Sequence, residues 1–159
     1  AKSICNKISN ITFLIAGDGS LKEEFEKFIT YEKLNNKIYL LGLLNKNEMI
    51  KFYNSIDVYV STSLSDGGLS SSIAEAMSFQ RLVIVTDNSD NRLWINNKTN
   101  GYLFKNKNSM ELEDIILKII QNKERNLLIA KSARKIININ FSYRKEMDKV
   151  DKIYKKFFK

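Results

Sequence analysis

The sequence predicts an α/β fold, a parallel sheet with helices on both faces. Three observations carry this reading. Five short apolar runs, near residues 11–16, 38–41, 57–61, 82–86 and 101–104, have the length of strands. Segments with apolar residues at helical spacing separate them. A strand, a single helix and a next strand form a right-handed crossover, which makes the neighbouring strands parallel.

Residues 11–16 are nearly continuous in apolar side chains, as in a strand buried on both faces. Gly17-Asp-Gly-Ser20 breaks the run. A helix then opens with Ser20 as N-cap and Glu23 three residues on, the spacing of a capping box. Its Leu21, Phe25, Phe28 and Ile29 fall on one face. The second strand, 38–41, is closed by Gly42, and Asn45 or Asn47 caps a short helix with Met49, Ile50 and Tyr53 inward. Strands at 57–61 and 82–86 flank a helix starting near Ser70, and 101–104 is a weaker fifth strand. Ser109 caps a helix carrying Leu112, Ile115, Ile116 and Ile119. Two more helices cover about 124–138 and 142–157, with Phe141 at the break. Parallel sheets bind ligands beyond the carboxyl ends of their strands, which directs attention to loops 17–20, 42–47, 62–70 and 87–94.

Length and composition set limits. The chain has 159 residues, 43% apolar and 28% charged, which suits one domain with its own core. It contains no histidine, so a Ser-His-Asp triad and a histidine metal site are excluded. The single cysteine, Cys5, permits neither an intrachain disulfide nor a cysteine-rich zinc site. No apolar run approaches the ~20 residues of a membrane-spanning helix, and no charged-then-apolar leader suggests secretion. The net charge of +8 comes entirely from residues 125–159. A solvated helix face is the plainer reading of that segment, and a nucleic-acid or anionic membrane surface the sharper one. At helical spacing, Tyr143, Tyr154, Phe157 and Phe158 read as the buried stripe of a C-terminal helix rather than as base-stacking platforms.

The stretch from Ser61 to Met77 carries chemistry. A buried strand runs into Gly67 and Gly68 and then into the helix near Ser70. The glycines let a backbone approach a ligand or adopt positive φ. Ser70, Ser71 and Ser72 place hydroxyls and free N–H groups at a helix N-terminus, a ready site for phosphate oxygens. The Glu75 carboxylate, about one turn further in, can accept two hydrogen bonds from a vicinal diol such as a ribose. A purely structural reading stands beside this one: the glycines make a turn, the serines cap, and Glu75 complements the helix dipole.

Six segments, in order, carry a family resemblance. They are Phe13-Leu-Ile-Ala-Gly-Asp-Gly-Ser20, Leu40-Leu-Gly-Leu43, Tyr53-Asn-Ser-Ile-Asp-Val-Tyr-Val60, Glu75-Ala-Met77, residues 82–87 and Asn100-Gly-Tyr-Leu-Phe104. Together they resemble the C-terminal domain of the retaining, nucleotide-sugar-dependent "group 1" glycosyltransferases of the two-domain GT-B fold. The resemblance implies a Rossmann-like domain spanning 1–159, with 142–159 as the helix that crosses back towards the other domain. It implies transfer of a sugar from a nucleotide-diphosphate sugar to a glycan or lipid-linked acceptor, with retention at the anomeric carbon, in polysaccharide biosynthesis. It further implies Glu75 on the ribose, Ser70 and Ser71 on phosphate, and Gly67, Gly68 and Leu69 against the sugar. Leu41, Gly42 and Leu43 would offer backbone to the base.

Two departures qualify it. The family pairs two acids eight positions apart, the second being Glu75. Gly67 stands eight before Glu75, so Asp66, nine before, takes the catalytic place only if the loop bulges by one residue. The family domain also opens with a strand, a Gly-rich loop and an Arg…Lys pair, whereas this chain begins inside the helix that follows them. A gap beside strand 11–16, or a swapped strand of a partner chain filling it, is therefore expected, and the isolated chain, lacking the N-terminal acceptor-binding domain, is expected to be inactive. No metal and no other cofactor are expected. The expected partner is the nucleotide-diphosphate sugar, without nucleic acid, and the basic C-terminus leaves a membrane surface as a further one. The expected location is the cytoplasm or the inner face of the membrane. The alternatives are a non-catalytic nucleotide-binding or interaction module, and a basic-tail binder of nucleic acid or membrane.

Overall fold

A computed structural model describes residues 1–64, 68–141 and 143–157. The elements run α1 (Lys2–Lys7), β1 (Phe13–Ala16), α2 (Lys22–Tyr31), β2 (Ile38–Gly42), α3 (Lys46–Ser55), β3 (Val58–Ser61) and α4 (Ser71–Ser78). They continue with β4 (Leu82–Thr86), α5 (Ser89–Trp94), β5 (Tyr102–Phe104), α6 (Ser109–Ile120), α7 (Lys123–Asn140) and α8 (Tyr143–Phe157). All five expected strands are present and every ladder is parallel. β1 pairs with β2, and β4 lies between β3 and β5. Among the described residues no ladder joins these two sheets. The chain divides into two compact units, Ala1–Ser55 with Ser109–Lys118, and Ile56–Asn108 with Ile119–Lys159.

In the first unit Cys5, Ile29, Leu34 and Ile38 form a buried cluster, with Ile11, Phe13 and Leu40 packed against it. Glu113 ties α6 to α1 by accepting hydrogen bonds from the Ser3 hydroxyl at 2.7 Å and the Lys7 ammonium. Those donors hold its carboxyl below the usual range, the Lys7 bond most strongly. Three expectations about β1 and α2 are corrected in this unit. β1 is not buried on both faces, since Ile15 is 39% exposed and Ala16 is exposed; among the described residues the strand has a ladder along one edge only. Of Leu21, Phe25, Phe28 and Ile29, only Ile29 is buried. Ser20 is not an N-cap: the Lys22 N–H bonds the Gly19 carbonyl at 3.1 Å, which turns the chain through Ser20 and Leu21 before α2 begins.

The capping box forms instead at α3. The Asn45 Oδ1 accepts from the N–H groups of Asn47 and Glu48 at 3.0 and 3.1 Å, and Glu48 Oε2 accepts from the Asn45 N–H at 2.8 Å. Phe52 and Tyr53 are the buried side chains of α3, their rings edge to face at 5.5 Å, while Ile50 is exposed rather than inward.

The second unit is built around β4, whose five residues are all buried. It has strand neighbours on both edges, and α4 and α7 pack on it. α4 buries Ile73, Ala76 and Met77, and α7 buries Ile129, Ala130, Ala133 and Ile137. Gly101 is fixed by space. A Cβ there would stand 2.8 Å from Val83 Cγ2 and 3.0 Å from Ile95 Cγ2, so any side chain displaces the β4 core. Phe141 ends α7 as expected and sets its ring edge to face on Trp94 at 4.7 Å. α8 buries no side chain, so the expected buried stripe at Tyr143, Tyr154 and Phe157 is corrected. Helical spacing reports a face that would be covered, not a cover within this chain. Phe158 lies outside the described residues.

Candidate functional site

The carboxyl ends of β3 and β4 position the segment that the sequence singles out. At the end of β4 the Thr86 hydroxyl donates to the Ser61 carbonyl at 3.3 Å. Two residues on, Asn88 makes two bonds with one amide. Its Oδ1 accepts from the Asn91 N–H at 2.8 Å and so caps α5, while its Nδ2 donates to the Leu64 carbonyl at 3.3 Å. One side chain thus ties the loop after β4 to the loop after β3. Asn91 is fully buried and donates to the Thr86 carbonyl at 2.9 Å, and its Oδ1 has no partner among the described residues.

Asp87 and Arg92 form a two-pronged pair, Nε to Oδ1 at 2.5 Å and Nη2 to Oδ2 at 2.8 Å. The Arg92 hydrogen bond holds the Asp87 carboxyl below its ordinary pKa; partial burial opposes this, and the Arg92 and Lys105 charges add to it. Sequence reasoning pointed to loop 87–94 without finding these residues. The available signal was an Asn at the head of a short helix with a polar residue three positions on, which α5 was too short to make conspicuous.

The sequence-predicted residues fall as follows. Ser70 is the N-cap of α4 in backbone terms, and its carbonyl accepts the first intrahelical bond from Ala74 at 3.0 Å. Its hydroxyl pairs with that of Ser72 at 2.9 Å and makes no cap bond to the helix. The first turn of α4 therefore has no N-cap bond from the Ser70 side chain, and such N–H groups are suited to an anion. Gly68 is half-buried with φ +123°, and a Cβ would meet nothing within 4 Å. Backbone conformation, not crowding, requires glycine there. Leu69 is half-buried beside it.

Glu75 is the fifth residue of α4. It shares an exposed face with Ser71, one turn earlier, opposite the buried Ile73, Ala76 and Met77. No hydrogen bond or ion pair engages its carboxylate among the described residues. It also lies beyond the first turn, where the dipole effect has fallen off. The purely structural reading of Glu75 is weakened on both counts.

Asp66 and Gly67 lie outside the described residues. Leu41 and Gly42 end β2 in the other unit and Leu43 follows them, 79% exposed, and the Gly42 carbonyl accepts from the Gly17 N–H at 2.8 Å. Among the described residues no group of three or more acidic, Cys or His side chains is placed to hold a metal ion, and no helix is long and apolar enough to cross a membrane.

Comparison with known proteins gives a consistent result. Residues 1–136 match the family model of glycosyl transferases group 1. An uncharacterized glycosyltransferase of Methanocaldococcus jannaschii is 27% identical over 146 residues, covering 92% of this chain and 37% of that protein. This chain thus spans about a third of that relative's length. The C-terminal domain of a glycosyl transferase group 1 family protein from Francisella tularensis has the same fold, with a TM-score of 0.80 at 23% identity over 90% of this chain and 76% of that one. TarM of Staphylococcus aureus, in a complex with Fondaparinux, alpha-GlcNAc-glycerol and UDP, matches with a TM-score of 0.84 at 27% identity, over 97% of this chain and 31% of that one. Six motif segments, parallel sheets flanked by helices and the family match agree: the chain belongs to the group 1 glycosyl transferases and corresponds to the Rossmann-like C-terminal domain of their GT-B fold.

Proposed function

We propose that this chain is the donor-binding domain of a retaining glycosyltransferase that takes its sugar from a uridine-diphosphate sugar and passes it to a glycan or lipid-linked acceptor. The observation that carries the reading is Glu75: an exposed carboxylate without a protein partner among the described residues, one turn into a helix with no N-cap bond from the Ser70 side chain. The UDP held by the TarM neighbour supports uridine as the base. In this reading Glu75 accepts two hydrogen bonds from the ribose diol. Ser70, Ser71 and the first-turn N–H groups take the diphosphate and stabilise the charge that grows on it as the sugar leaves. Gly67 and Gly68 admit the sugar, and Asp66 is the acid on the sugar side. The acceptor and its activation belong to a further domain, so the isolated chain transfers nothing. No metal is required.

Calorimetric titration of UDP, GDP and ADP into the protein that carries this chain tests the reading. UDP binding at least tenfold tighter than GDP or ADP is the expected result. Equal binding of all three would overturn the uridine assignment, and absence of binding by a folded protein would overturn the donor-domain reading.

A further inference from the structure

The chain leaving β3 is held by two side chains from the far end of β4 and beyond it. Thr86 donates to the Ser61 carbonyl and Asn88 Nδ2 to the Leu64 carbonyl, each at 3.3 Å, so the backbone is pinned at Ser61 and again at Leu64. Chemistry fixes the orientation of the Asn88 amide. The Asn91 N–H only donates, so the atom 2.8 Å from it is the amide oxygen, and the nitrogen is the end that reaches Leu64. Asn91 is fully buried and donates to the Thr86 carbonyl at 2.9 Å, which gives Asn88 a firm base. Capping α5 needs only an acceptor, which Asp, Ser or Thr supplies as well. Asn alone of these four adds a donor for the Leu64 carbonyl.

We infer that Asn88 is a positioning residue for the sugar of the donor: by holding Leu64 it sets the segment that leads to Asp66 and Gly67. The inference rests on the reading of that segment as the sugar side of the donor site. Asp66 follows Leu64 by two residues, so their Cα atoms stay within about 7 Å of each other. Asn88 acts through Leu64 and needs no contact with the donor itself. The nucleotide side has separate support. Ser70, Ser71 and Glu75 stand at the start of α4 or on it, and α4 is seated by its buried Ile73, Ala76 and Met77. Loss of the Asn88 tie should therefore loosen contacts to the sugar and spare contacts to the nucleotide.

Asn88→Asp separates the two jobs of this side chain. The carboxylate keeps an acceptor for the Asn91 N–H, but it has no donor and sets an oxygen against the Leu64 carbonyl. In the protein that carries this chain, the variant should melt with the wild type and hold UDP equally well. Amide hydrogen exchange across residues 62–70 should quicken about two- to tenfold, the factor that one neutral hydrogen bond supplies, while exchange in α5 stays the same. Of UDP-glucose and UDP-N-acetylglucosamine, the one that the wild type holds more tightly should lose about the same factor in affinity relative to UDP. Asn88→Ala, which removes cap and tie together, should also quicken exchange in α5 and lower the melting midpoint. Unchanged exchange at 62–70 in Asn88→Asp would overturn the inference. So would an unchanged ratio of UDP-sugar to UDP affinity, or an equal loss of both. A folded wild type that binds no UDP would overturn the donor-site reading instead and the sugar role with it, while exchange at 62–70 still decides whether Asn88 holds the loop.

Discussion

β1 and β4 have similar sequences and different surroundings. Phe-Leu-Ile-Ala and Leu-Val-Ile-Val-Thr are both short apolar runs, and both read as strands buried on two faces. β4 fulfils that reading: strands flank it on both edges, α4 and α7 pack on it, and every residue is buried. Among the described residues β1 has one ladder, and Ile15 is 39% exposed. An apolar run therefore reports that a strand would gain from cover, not that the chain supplies it. A two-stranded sheet is marginal alone, so the first unit relies on the cluster of Cys5, Ile29, Leu34 and Ile38 beneath it.

The contrast can be broken by mutation. Ile84→Ala removes a fully buried side chain from β4 and should cost about 2–5 kcal/mol. Ile15→Ala, at a half-exposed site in β1, should cost less than about 1 kcal/mol. Denaturant midpoints of both variants decide it, and equal losses would show that β1 is as fully covered as β4. Gly101→Ala sharpens the same point, since its methyl would press on Val83 and Ile95. A loss of roughly 1–3 kcal/mol is expected from overpacking, and a neutral result would mean that the β4 core yields.

Helix starts give the next smaller effect. Asn45→Ala should destabilise by about 1 kcal/mol, whereas Ser20→Ala should change nothing measurable, because only Asn45 caps. Both follow S/T/N-x-x-E spacing in the sequence. What separates them is the Gly19–Lys22 turn, a backbone bond that side-chain spacing does not announce.

The smallest effect is electrostatic. Asp87 has its folded-state pKa lowered by Arg92, so the pair stabilises the fold above the ordinary carboxyl value of about 3.9. That contribution is lost as pH falls through the lower folded value. Asp87→Asn should therefore be less stable than the wild type at pH 7, with the difference shrinking below about pH 4. Arg92 is largely exposed, which keeps the effect small. A difference that grew in acid would contradict the assigned sign.

Legibility followed what each residue depends on. Strand positions, the break at Phe141 and the α4 start near Ser70 depend on local pattern and were readable. The exposure of Phe25, Phe28 and the α8 stripe was not, because helical period is the same on a covered face and an uncovered one. At the candidate site, Ser70, Ser71 and Glu75 were legible as residue types at a helix start. Asn88 was not, since its reach to Leu64 joins two loops distant in sequence.

The central claim is that Glu75 holds the donor nucleotide, and one comparison tests it: UDP affinity of the protein that carries this chain against its Glu75→Gln variant, with thermal melts of both. A ribose diol on the carboxylate is a charge-assisted contact worth roughly 1.5–3 kcal/mol. Affinity should fall about ten- to a hundred-fold, while the melt, for an exposed side chain with no partner among the described residues, stays where it was. Unchanged affinity at unchanged stability would remove Glu75 from the site and contradict the account.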